Sequence, residues 1–536
     1  MRLLKYISKN VAIAVVSTLM LSSCLNELDQ LPIDPTKTTG DQVYQTEEGY
    51  ERVVAKVYAA LALTGQEGPA GNGDVGGIDE GSSSFIRNLW NAQVLTTDEA
   101  ICAWGDFGIS QLNQLQYSAA NPFIEGLYYR IYHQVSMANE FLRQSTDDKL
   151  AARGQEDIKE NIHAMRAEVR FLRAYAYAVA IDVFGSVPFV TEADGIGTYL
   201  PEQISRKDLF DWVIDELDAI ESDITPIATA DYGRVDAGAV AFLKARLYLN
   251  AQVYTGTPQW DAVITETKKL IDAYDIYEDN YQHLFYADNN NSSIASGFIF
   301  AVPYDGDKMQ TYGGTSFLCF SSTGGGISPD AIGLSGGWGG NRARPQLIDL
   351  FQAGDRRGYV DGLDGTFFDS GAKEIENPAL YSDGFGVMKY RNINSDGSAP
   401  SNKDFVTTDF PLFRLADAYL MYAEAVVKEG QGGDKATAVS LINKLRMRAF
   451  GNASGNITQS NLTADFILDE RGRELYWECT RRSDLIRYNK YTSNAYLWAW
   501  KGGVPSGAAV SATKRLFAIP AKDIGANSNL VQNPGY

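Results

Sequence analysis

The chain has 536 residues, 45% of them apolar and 21% charged, the profile of a water-soluble globular protein long enough for a large core. A formal net charge of -20, with 67 acidic against 47 basic residues, repels nucleic acid and argues against any polyanionic partner. Thirty Tyr, 24 Phe and 8 Trp supply flat amphipathic rings that can fill a core or line a binding face.

The amino terminus bears on location. Arg2, Lys5 and Lys9 precede an apolar run over residues 11–21 that is too short to span a bilayer, and Leu21-Ser22-Ser23-Cys24 follows. That order resembles a bacterial lipobox, in which the cysteine becomes the first mature residue and is lipidated. Residues 1–23 therefore read as a lipoprotein signal peptide and Cys24 as the lipidation site; a plain secretory peptide is the alternative. Residues 24–41, polar with Pro32 and Pro35, read as the lipidated tether. No later apolar run could span, so the expected relation to the membrane is anchorage. Cys102, Cys319 and Cys479 remain, an odd number that does not make a disulfide framework.

Residues 42–536 read as a single domain with two insertions, 64–121 and 273–412. Tyr50, Val53, Val54, Val57, Tyr58 and Leu61 hold helical spacing. The first insertion then opens on GQEGPAGNGDVGGIDEG, too glycine-rich for anything but loop, and carries Arg87, Trp90 and Trp104. Leu127, Tyr128, Ile131, Tyr132 and Val135 form the stripe of a helix over 123–142. The helix over 162–184 has two apolar faces, small residues at 174, 176, 178 and 180, and a strip of Arg166, Arg170 and Arg173, so it reads as a middle layer. Further helices are predicted at 208–220, 237–251, 260–271, 413–428, 436–450 and 467–477, with a buried strand over 298–302. Recurring helix hairpins, each too small to bury its own face, predict a mostly α fold on a tetratricopeptide-like scaffold of helix pairs, with a loop-rich irregular half; a simple bundle is the alternative. Insertions in such stacks emerge as loops that can gather on one side.

Catalytic patterns find little support. Gly333-Leu334-Ser335-Gly336-Gly337 fits the nucleophile-elbow pattern, but that elbow needs a histidine downstream, and His133, His163 and His283 all precede it. The histidines have no zinc-type spacing. Asp288 to Asn291 offer oxygen ligands, yet the twelfth loop position is Ile299, so the EF-hand pattern is absent; no cofactor is expected, with a structural calcium left open. A glycosidase carboxylate pair depends on a separation in space that sequence does not show. More pointed are the rings in the insertions, because a sugar offers apolar C–H faces and a rim of hydroxyls. Trp338 lies in GGWGG, where its neighbours offer nothing to build a core around, whereas Trp90 reads as core. Three rings at about 1–2 kcal/mol each reach millimolar to micromolar affinity after association costs, which suits capture of a polymer rather than chemistry.

The lipobox at Cys24 and the runs AEVRFLRAYAYAVAIDVFGSVPF, GRVDAGAVAFLKARLYLNAQVYTG, FPLFRLADAYLMYAEA, ERGRELYWECTRRSDLIRY and YLWAWKGG resemble the SusD/RagB family of outer-membrane nutrient-binding lipoproteins of the Bacteroidetes. The likeness covers essentially the whole mature chain and holds in particular for the family's starch-binding founding member. It implies four tetratricopeptide-like helix pairs beside an irregular half, no enzymatic activity, and a SusC-like TonB-dependent transporter as partner, on which the protein acts as an extracellular lid. It also implies a surface-exposed, lipid-anchored place in the outer membrane and starch or a related α-glucan as ligand, with another glycan or a peptide as alternative. Residue by residue, GGIDEGSSSFIR places a sugar-bonding acid at Asp79 and an arginine at Arg87, CAW a platform at Trp104, TYGGTSFL gives Tyr312 and GGW gives Trp338. Three rings on two insertions could form an arc matched to a curved α-glucan. Two departures stand out: Cys102 replaces another tryptophan, and the asparagine expected soon after Trp104 is missing, leaving Asp106 as the nearest polar residue.

Overall fold

Several of the helices start where the sequence supplies a capping side chain. In the computed structural model, which describes residues 40–197, 199–360, 365–369 and 371–536, α1 (Glu47–Ala59) follows Thr46, whose hydroxyl accepts from the Gly49 amide. The expected signal peptide, Cys24 and nearly all of the tether lie outside the described residues. α2 (Phe85–Trp90) is capped by Ser84 and continues into one π-helical turn, Asn91–Leu95, before the short strand β1 (Ala100–Cys102). α3 (Pro122–Gln144) opens with an Asn121 cap and proline in its first turn. It is followed by α4 (Lys159–Val183), α5 (Arg206–Ala219), α6 (Ala237–Leu249) and α7 (Trp260–Ala273). The irregular half holds β2 (Phe298–Val302), α8 (Gly314–Ser322) and β3 (Asn341–Ala343). β4 (Phe410–Arg414), α9 (Leu415–Val427), α10 (Lys435–Phe450), α11 (Ala464–Leu475) and α12 (Arg481–Arg487) follow, with shorter helices and turns between the named elements.

The helices stack in chain order: α3 on α4, α4 on α5, α6 on α7, α7 on α9 and α9 on α10. α4 is the predicted middle layer, with Ala174, Ala176, Ala178 and Ala180 all buried. Its arginine strip stitches it to both neighbours. Arg166 donates to the Leu142 carbonyl at the end of α3, while Arg170 and Arg173 share Glu216 of α5 at 2.7 to 2.9 Å. Because Ala174 is fully enclosed, Ala174→Leu is expected to cost about 1–3 kcal/mol through overpacking, visible as a lower denaturant midpoint; an unchanged midpoint would show slack at this layer.

Two local expectations change. The run from Phe410 to Arg414 forms a strand antiparallel to β2, with Phe300 opposite Phe413, and the helix begins at Leu415 rather than at 413. Stacking of Phe413 on Phe242, centroids 4.4 Å apart, belongs to that strand. The first insertion is loop only at its start. Residues 83–102 are buried throughout, because Trp90 packs edge-on against Phe317 and Trp477 and Asp98 pairs with Arg481.

Beneath the irregular half lies a buried ion network. Glu470 and Glu474 of α11 face Arg357, Arg414, Arg446, Arg448 and Arg473, every side chain 5% exposed or less. Removing so many charges from water is costly, so the network holds only because each carboxylate is multiply hydrogen-bonded.

Ser335 is preceded by one 3-10 turn, Asp330–Ile332, and not by the strand that a nucleophile elbow requires. Among the described residues no group of His, Cys, Asp and Glu is arranged to hold a metal ion, and no helix is long and apolar enough to cross a membrane.

Candidate functional site

Two stretches more than two hundred residues apart meet through one short ladder. β1 pairs antiparallel with β3, Cys102 opposite Asn341 and Ala100 opposite Ala343, and the Ala103 amide extends the pairing to the Gly340 carbonyl at 2.9 Å. An antiparallel ladder brings the end of one strand beside the start of the other. Trp104, just after β1, and Trp338, just before β3, therefore emerge together. Their ring centroids are 6.3 Å apart, and the Trp104 indole N–H donates to the Trp338 carbonyl at 3.3 Å. Gly340 permits this approach: a Cβ there would lie 2.3 Å from the Trp104 ring.

The GGWGG loop is held down by its backbone. The amides of Trp338, Gly339 and Gly340 donate to the carbonyls of Phe320, Thr323 and Ser321 at the end of α8, at 2.7 to 2.9 Å. Tyr312, just before α8, stands on the other side of Trp338, again with centroids 6.3 Å apart. Trp338 and Tyr312 are 36% and 38% exposed, and Trp104 is half-buried. Their inner faces rest on α8, Trp338 over Phe320 at 5.1 Å and Trp104 against Phe317 at 6.1 Å. Trp90 is fully buried behind Phe317.

Arg87 sits beneath this row. Its Nη1 donates to the carbonyls of Gly81 and Tyr312, and its guanidinium lies 4.5 Å from the Phe317 ring and 5.8 Å from that of Trp104. Burial pulls it down to about 10, against the opposing pull of Cys102, Asp79 and Asp106, so it stays charged at neutral pH. Its buried Nε has no protein partner. Asp79 is exposed and caps the turn before α2, accepting from the Ser82 amide at 2.8 Å; Asp106 is exposed as well. The three expected rings thus come together at the surface, Arg87 lies buried beneath them and ties the first insertion to the second, and Asp79 and Asp106 are exposed within electrostatic reach of Arg87.

Cys102 lies 2% exposed inside the ladder, clamped by the Asn113 amide group, and burial pushes its thiol up to about 12. It offers nothing to the surface where a tryptophan could have stood. Sequence reasoning missed Phe405, a half-buried ring 5.5 Å from Tyr312. No local pattern marks it; its place follows from a loop that returns to α8 through the hydrogen bond from the Val406 amide to Ser316.

Stacked helix pairs that carry an exposed group of rings on an irregular half have the form of a binding scaffold. The chain belongs to the SusD family: a model of that family matches residues 364–536, and the starch-binding protein SusD of Bacteroides thetaiotaomicron is 34% identical over 583 aligned residues, covering 99% of both chains. The fold is shared with a SusD superfamily protein from Parabacteroides distasonis (TM-score 0.70, 22% identity, 93% of this chain and all of the other). It is shared also with surface glycan-binding protein A from Bacteroides thetaiotaomicron, determined in complex with laminarihexaose (TM-score 0.67, 20% identity, 91% and 99% covered).

Proposed function

We propose that the row Trp104, Trp338 and Tyr312 binds a glycan without chemistry, and that its ligand is a curved glucan. The carrying observation is the mutual tilt of the rings, 50° between Trp104 and Trp338 and 59° between Trp338 and Tyr312. Rings inclined in this way offer no common plane, so a flat ribbon of sugars could stack on one of them only. A chain that turns as it advances can present successive sugar faces to successive rings. Asp79 and Asp106 supply exposed acceptors for hydroxyls, and Arg87 holds the platform from below.

Helical α-glucans and β-1,3-glucans both curve. The 34% identical relative bears the name of a starch-binding protein, and one structural neighbour holds laminarihexaose, so the two readings stand side by side. Affinity electrophoresis in gels containing amylopectin, laminarin or hydroxyethylcellulose separates them. Retardation by amylopectin or laminarin but not by hydroxyethylcellulose is the expected pattern. Equal retardation by hydroxyethylcellulose, or by none of the three, counts against a curved-glucan site.

Family membership supports a place at the outer-membrane surface beside a SusC-like TonB-dependent transporter, to which captured oligosaccharides pass, with residues 42–536 acting as one domain on a lipid tether at Cys24. Cys24→Ala is expected to move the protein from the membrane to the soluble fraction; retention in the membrane fraction would remove the lipid anchor from this scheme.

A further inference from the structure

We infer that the glycan site continues past Tyr312 into a further subsite built on the Phe405 ring and the polar cleft beyond it; the inference rests on the glycan reading above. Trp104, Trp338, Tyr312 and Phe405 form an unbroken row, with successive centroids 6.3, 6.3 and 5.5 Å apart. Each spacing is on the scale of one sugar residue. Phe405 is tilted 47° to Tyr312, an inclination like those between the first three rings, so the four rings share no common plane.

Phe405 is held in place before any ligand arrives. The Asn402 side chain accepts from the amides of Asp404 and Phe405 at 2.9 and 3.0 Å, and donates to the Gly306 carbonyl and to Asp307 at 2.8 and 3.2 Å. A close approach of the Phe405 carbonyl to Gly306 leaves no room for a Cβ there. The same Asp307 lines a cleft of about 250 Å³ between the glycine-rich loop of the first insertion and the segment leading to Tyr312, together with Gln66, Lys308 and Gln310. Phe405 does not itself line the cleft; Asn402 joins the two, and a ring beside a cleft of amide, carboxylate and ammonium groups offers what a sugar needs, an apolar face and partners for its hydroxyls. Phe405 would thereby set ligand length: a short oligosaccharide fills the tryptophans and Tyr312, and only a longer one reaches Phe405.

Isothermal titration with maltotriose and maltoheptaose, and with laminaritriose and laminarihexaose, tests this on the full mature chain. Phe405→Ala is expected to lower affinity for the longer sugar of the bound series about three- to tenfold and to leave the triose within about twofold, while Phe405→Tyr, which keeps the ring, restores the longer sugar. An equal loss at both lengths would make Phe405 a buttress of Tyr312, and no change at either length would make it a bystander; both overturn the subsite. Trp338→Ala weakens both lengths if the site itself is right. A wild-type protein that binds neither series removes the glucan reading and this subsite with it, which separates that failure from a failure of Phe405 alone.

Discussion

Trp338→Ala is expected to weaken glycan binding about five- to thirtyfold, the worth of one well-stacked ring at roughly 1–2 kcal/mol, and to leave the unfolding midpoint within about 2 °C of wild type. The ring occupies the middle of the row, with Trp104 and Tyr312 both at 6.3 Å, so its loss separates the remaining two. The fold is expected to survive its loss. The loop is anchored by backbone amides, which the alanine retains, and the residue is 36% exposed. Retention in an affinity gel and a circular-dichroism melt read the two effects separately. Unchanged retention would place the binding face elsewhere on the molecule.

The largest effect on stability is expected at Glu474. Its carboxylate accepts from Arg357, Arg414 and Arg448 at 2.6 to 3.1 Å, and all four side chains are buried. Glu474→Gln keeps the shape and removes the charge, leaving three buried guanidiniums short of a counter-charge, at a cost of about 3–5 kcal/mol. A fall in denaturant midpoint with an unchanged slope is the signature; a midpoint equal to wild type would mean that the arginines find other partners. Burial alone would raise the Glu474 carboxyl, but Arg448, Arg414 and Arg357 outweigh it and hold the group down to about 2, against an ordinary value of 4.5. A depressed carboxyl contributes stability that is fully present above the ordinary value and is lost as the pH falls through the folded one. The wild-type melting temperature is therefore expected to drop between about pH 4.5 and 2, and less steeply in Glu474→Gln. Parallel curves for the two proteins would dismiss the network as the source of that acid sensitivity.

Sequence patterns read these two regions unequally well. Apolar spacing on α4 reported its two packed faces within a few residues, because a helix shows its environment at intervals of three and four. Glycines around Trp338 distinguished it from Trp90, one ring exposed and the other fully buried, because flanking glycines leave an indole without local packing partners. The same logic was blind to Phe413, where pairing with a strand more than a hundred residues away overrode a helical spacing. It was blind also to the ion network: acids and arginines abound along the chain, and spacing does not tell which of them lose their water.

The identity of the rings and the helix rhythm of the scaffold are both properties of short stretches, set by side-chain types and local geometry, and these were legible in the chain. That Trp104, Trp338 and Tyr312 share one face, that Arg87 lies under them between two backbone carbonyls, and that Phe405 extends the row follow from the three-residue ladder of β1 with β3 and from α8 behind it. The ladder and the Arg87–Tyr312 bond close loops of more than two hundred residues, and the Val406–Ser316 bond that places Phe405 closes one of 90. Their free energy comes from burial summed over the whole core, and no window of sequence contains it.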